Sequence, residues 1–136
     1  MHERAQSLLT TTRHGFFSHR IGSPGWSRPV PVWFDWTGDV AKVFSTASAP
    51  KVASLREDLV AHLLVANEVG EREAWVSITA DVAIGTVDPS WLEALGARYW
   101  DLDDPGRRGE LDEMLADLDG FVLLTLTPTK LRDYTF

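Results

Sequence analysis

Residues Ala74 to Ile84 alternate almost without interruption, with Trp75, Ser77, Thr79 and Asp81 on one side and Val76, Ile78 and Val82 on the other. A period of two over this length marks a β-strand with one apolar face. Comparable β-rich runs recur at Gly15 to Ile21, Ser27 to Trp36, Ala41 to Ser45, Val60 to Ala66 and Phe121 to Thr127, with a short one after Pro128 from Lys130 to Tyr134. Turn chemistry separates them, at Gly22-Ser23-Pro24-Gly25, at Thr37-Gly38-Asp39 and in the polar connection Asn67 to Glu73. Six or seven strands in 136 residues leave edges that must be closed or covered, which favours a barrel over an open sheet. The expected class is mainly β, a β-barrel with short helices. A barrel of this size is filled by its own side chains, so a ligand sits outside it, in a groove shared with a second subunit.

The helical signals are short. Ala5, Leu8 and Leu9 lie at helical spacing within Glu3 to Thr11, and Ser48 or Ala49 caps a turn or two carrying Pro50 and running to Arg56. Asp88-Pro89-Ser90 opens a helix with Trp91, Leu92, Leu95 and Tyr99 along one stripe. Leu111, Met114, Leu115 and Leu118 mark another after the polar stretch Asp101 to Gly109. A hydrophobic content of 44%, with six Trp and six Phe, suits a single core, so residues 1–136 are expected to form one domain.

Composition narrows the function. A net charge of -7 disfavours nonspecific attraction to nucleic acid and to anionic membrane. The absence of cysteine removes disulfides, thiolate metal sites and a Cys nucleophile. Charged residues scattered through positions 1 to 20 break up any signal-peptide core or membrane span, so the chain is expected in the cytoplasm. His14, His19 and His62 lack metal-ligand spacing and read as solvated or structural, and the Asp101, Asp103, Asp104 cluster reads as a polar loop.

Two features carry chemistry. In the run Ser27 to Trp36, Pro29 and Pro31 lack backbone donors, so this strand lies on an edge or faces a ligand where a neighbouring strand would be. Further on, Ser45 and Thr46 end a strand, and Lys51 follows in the first turn of a short helix. Two hydroxyls, helix-opening amides and a full positive charge suit a phosphate. An ordinary strand-to-helix loop with a solvated lysine has the same composition.

The ordered blocks Pro31-Val32-Trp33-Phe34, Val43-Phe44-Ser45-Thr46 with Lys51, and Ala74-Trp75-Val76-Ser77-Ile78-Thr79-Ala80 resemble the pyridoxamine 5'-phosphate oxidase-like, FMN-binding split β-barrel family. The resemblance implies a homodimer with two interface sites, each holding FMN or, in one branch, an F-420 type deazaflavin. By the same resemblance, Val30, Pro31, Val32 and Trp33 run beside the isoalloxazine ring, Ser45 and Thr46 contact the ribityl chain or phosphate, and Lys51 pairs with the phosphate. Trp75 of the other subunit touches the ring. Relatives often carry a basic pair where this chain has Ala49-Pro50-Lys51, and the basic C-terminal substrate motif of the true pyridoxine-phosphate oxidases is missing from Thr127 to Phe136, so oxidation of that vitamin is not expected. The implied function is hydride transfer between the cofactor and a small organic molecule, with a non-catalytic flavin- or haem-related binding protein as the alternative. Catalysis needs no acid–base dyad there, because the cofactor supplies the hydride chemistry.

Overall fold

The computed structural model describes residues 1–22 and 25–136. Its elements run α1 (Glu3–Thr10), β1 (Gly15–His19), β2 (Val30–Val32), β3 (Asp35–Trp36), β4 (Ala41–Thr46), α2 (Pro50–Glu57), β5 (Val60–Ala66), β6 (Ala74–Gly85), α3 (Pro89–Tyr99), α4 (Pro105–Leu115), a 3-10 turn (Leu118–Gly120) and β7 (Phe121–Thr135). The turn expected at Gly22 to Gly25 includes Ser23 and Pro24, which lie outside the described residues.

The seven strands make one antiparallel sheet in the order β2-β1-β5-β6-β7-β4-β3. Its outermost strands, β2 and β3, are separated in sequence only by Trp33 and Phe34. Three Cα–Cα steps reach about 11 Å at most, so the two ends of the sheet must come together. The sheet therefore curls into a barrel. Inward-facing Phe17, Val43, Leu63, Val65, Val76, Ile78, Leu124 and Leu126 fill it and are almost wholly buried, joined by Ala5, Leu8 and Leu9 of α1. At roughly 25 cal/mol per Å² of apolar area, this burial is the main stabilising contribution.

Three local expectations change. Ser27 to Trp36 is not one strand: β2 pairs with β1 and β3 pairs with β4, at opposite ends of the sheet. The chain crosses the seam at Trp33-Phe34, where the Phe34 amide donates to the Tyr99 hydroxyl at 3.1 Å instead of to a neighbouring strand. Nor does Pro128 end a strand. It sits opposite Ala80 while Lys130 sits opposite Thr79, so Thr129 is the extra residue of a β-bulge and β7 continues to Thr135. A bulge is one of the few places in a sheet where a residue without an N–H is tolerated. Finally, the polar stretch Asp101 to Gly109 is partly helical. Asp104 accepts from the Gly106 amide at 3.2 Å and Pro105 takes the first position of α4, an aspartate cap followed by proline.

Helices α3 and α4 form a second layer against the seam, around buried Leu92 and Leu111 with Phe44, Trp91, Trp100 and Phe121 beside them. Gly96 allows the two helices their close approach, since a Cβ there would lie 2.8 Å from Leu111 Cδ2.

Candidate functional site

The seam leaves backbone unsatisfied. β2 is hydrogen-bonded to β1 on one side, and β4 beyond Lys42 is hydrogen-bonded to β7 on one side; no strand among the described residues pairs with the other edge of either. Unpaired peptide groups need a partner, from protein, water or ligand. Between these edges lies an open cleft of about 320 Å³, lined by Pro31, Val32 and Trp33 from one side, Phe44, Ser45 and Thr46 from the other, and His14 and Lys51.

Each wall is placed by local chemistry. The Trp33 side chain is held away from β2 by an aromatic cluster: it stacks on Tyr99 with centroids 4.9 Å apart and meets the Trp100 ring edge-on at 4.8 Å. Phe44 stands edge-on to Trp33 at 6.0 Å. The Tyr99 hydroxyl donates to the Arg13 carbonyl at 2.6 Å and accepts from the Phe34 amide at 3.1 Å, so a side chain substitutes for the missing ladder where the chain crosses the seam. Trp91 Nε1 donates to Asp35 at 3.2 Å and Arg98 lies 3.4 Å from the same carboxylate, tying α3 to β3.

Lys51 is the cation of the cleft. Its ammonium lies 5.3 Å from the centroid of the buried Phe17 ring, an attractive arrangement for a partly desolvated cation. No carboxylate among the described residues forms an ion pair with it. Burial lowers its pKa below the usual lysine value, as desolvation without a counter-charge must. Nearby, Ser45 is buried and its hydroxyl reaches only the Thr46 carbonyl, at a long 3.4 Å. Ala49 caps α2 without a side-chain acceptor; Pro50 brings no amide hydrogen and the Val52 amide donates to the Ala49 carbonyl at 3.0 Å. The Lys51 ammonium and the Ser45 and Thr46 hydroxyls are the side-chain donors at this end of the cleft, the kind an oxyanion requires.

Of the residues singled out in the sequence, Pro31, Val32, Trp33, Ser45, Thr46 and Lys51 come together on this cleft. Val30 and Trp75 do not line it. Val30 is an exposed residue at the start of β2, and Trp75 lies at the start of β6, stacked on Tyr134 at 5.8 Å. His14 and Phe44 line the cleft without having been singled out as ligand contacts. A lone histidine ahead of a strand carries no sequence signal, whereas the outward position of Phe44 follows from the alternation of β4.

A curled antiparallel sheet, left open along one seam and flanked by short helices, defines a split β-barrel. No protein-family model and no curated protein matches the sequence. Solved structures share the fold. An F420 reductase superposes with a TM-score of 0.75 at 20% identity, covering 97% of this chain and 98% of its own. A putative pyridoxamine 5'-phosphate oxidase from Listeria innocua gives 0.66 at 15% identity, covering 96% and 95%. HutZ, the haem storage protein from Vibrio cholerae, gives 0.66 at 12% identity, covering 97% and 92%. No helix among the described residues is long and apolar enough to cross a membrane.

Proposed function

We propose that the seam cleft binds the phosphate-bearing part of FMN, or of an F-420 type deazaflavin, and that the protein is an oxidoreductase working as a homodimer. The observation that carries this reading is Lys51: among the described residues, a half-buried ammonium paired with no carboxylate, between two strand edges that no further strand covers. Lys51 supplies a charge-assisted contact to the phosphate, with Thr46 and Ser45 as hydroxyl donors. Peptide groups of Val30 to Trp33 meet the polar edge of the ring system, where Pro31 costs nothing because no ladder bond is lost. When bound, the flavin supplies two-electron hydride chemistry. The cluster of Trp33, Tyr99 and Trp100 keeps that wall of the cleft rigid and apolar. Trp75 on the outer sheet face is the residue a second copy brings to the ring. The F420 reductase among the fold neighbours is the reason to test the deazaflavin beside FMN.

Titration of the purified protein with both compounds, followed by absorbance and fluorescence, tests the reading. Lys51→Ala weakens binding of the preferred compound by roughly 1.5 to 3 kcal/mol, as for loss of a charge-assisted hydrogen bond. Lys51→Met, which removes an unpaired desolvated charge and keeps the stem, raises the melting temperature of the ligand-free protein while also weakening binding. Equal affinity in wild type and Lys51→Ala overturns the assignment of Lys51.

A further inference from the structure

The outward face of β6 and β7 carries a second set of converging donors. Three same-face pairs succeed one another across these strands: Trp75 opposite Tyr134, Ser77 opposite Arg132, and Thr79 opposite Lys130. None of the six lines the seam cleft. Ser77, Thr79, Lys130 and Arg132 enclose an open hollow of about 190 Å³. Among the described residues, neither Lys130 nor Arg132 forms an ion pair. The next carboxylate along this face, Asp81, lies beyond the bulge and opposite Thr127.

Same-face positions on a strand are about 7 Å apart, so two long cationic side chains share this patch with only hydroxyls across from them. Like charges this close repel, and an anion between them removes the repulsion. His62 of β5 adds a donor relay: its Nε2 lies 2.6 Å from Ser77 Oγ. Burial lowers the His62 pKa and favours the neutral ring. Protonated on Nε2, the ring donates to the Ser77 oxygen and frees the Ser77 hydroxyl proton for the hollow. Two cations and two hydroxyls, on a chain of net charge -7, are a local exception that selects a compact, multiply charged oxyanion over a neutral ligand.

We propose that Ser77, Thr79, Lys130 and Arg132 form a phosphate-binding site on the outer sheet face. The phosphate can come from two sources. One is a separate small phosphate ester. The other, which rests on the function proposed above, is the cofactor seated in the cleft of a second copy whose seam meets this face.

The test is an amide-resolved NMR titration with inorganic phosphate at constant ionic strength, balanced with chloride. It compares wild type, the double variant Lys130→Ala/Arg132→Ala, Ser77→Ala and Lys51→Ala. Saturable shifts at Ser77, Thr79, Lys130 and Arg132 are expected in wild type and Lys51→Ala. The affinity should fall roughly tenfold or more in the double variant and several-fold in Ser77→Ala, as for loss of contacts to a charged group. Ser77→Ala leaves the charge unchanged and so separates a built site from mere charge. Shifts that chloride reproduces, or an affinity the double variant leaves intact, overturn the site. Titration of the same proteins with FMN and with the deazaflavin then assigns the source: weaker binding of the preferred compound in the double variant points to the cofactor of a second copy, and unchanged binding to a separate ester. If wild type binds neither FMN nor the deazaflavin, the function proposed above fails, and the phosphate titration still decides this site.

Discussion

Tyr99 shows how one side chain can stand in for a strand. The Phe34 amide lies where the chain leaves β2 for β3, and its hydrogen bond goes to the Tyr99 hydroxyl at 3.1 Å. Burial pushes the Tyr99 pKa up, so the phenol stays protonated and keeps donating to the Arg13 carbonyl. Tyr99→Phe removes both contacts and leaves a part-buried amide and carbonyl without this partner. It should destabilise the protein by about 1 to 3 kcal/mol, read as a lower urea midpoint; a midpoint equal to wild type would show that water replaces the hydroxyl. The sequence presents Tyr99 as part of a packing stripe with Trp91, Leu92 and Leu95, or as a wall of a substrate pocket with Trp91 and Trp100. Its polar partners come from positions 13 and 34, and no local pattern announces them.

At the scale of the elements, β7 keeps its register through one extra residue. Thr129 is the extra residue that restores register after Pro128, and its Oγ1 donates to the Thr79 carbonyl at 3.2 Å. The bulge keeps Lys130, Arg132 and Tyr134 on the outer face and Leu131 toward the core. Because side chains alternate with period two, deleting Thr129 shifts everything beyond it by one position and turns the two cations inward. The deletion is expected to abolish cooperative unfolding or to lower the melting temperature by about 10 °C or more, for a loss of several kcal/mol in a domain this size. A near-native melting curve would mean that the sheet re-pairs without the bulge. The sequence marks Pro128 as a breaker, and the alternation on each side is also legible. That both halves join one strand is not, because the partner that bridges the break is β6.

For the whole molecule, stability against acid rests partly on a pair that ties the start of the barrel to the β5–β6 connection. Buried Arg13 donates to Glu71 at 2.8 Å, and Glu71 also accepts from the Glu68 amide at 2.7 Å. The Arg13 contact, then the Glu68 amide, hold the Glu71 carboxyl at about 2, below its ordinary 4.5. A carboxylate lowered by folding contributes fully above its unfolded value, and the contribution is lost as the pH falls from about 4.5 toward about 2. Glu71→Gln should therefore melt lower than wild type at pH 7, and the gap should close as the pH drops through this window. A gap that is constant with pH would assign the effect to packing.

Strand periods, helix caps and turn residues act between neighbours a few positions apart, so the alternation of β6, the Asp88 cap, the edge character of Pro31 and the donor-rich Ser45 to Lys51 segment are all readable in the chain alone. What joins them is long-range. Only when the sheet curls far enough for β2 and β3 to be linked by two residues does a seam open, bringing His14, Trp33, Phe44 and Lys51 to one cleft. Strand register and closure are set by burial of the whole inner face at once, a property of all seven strands together that no single segment contains.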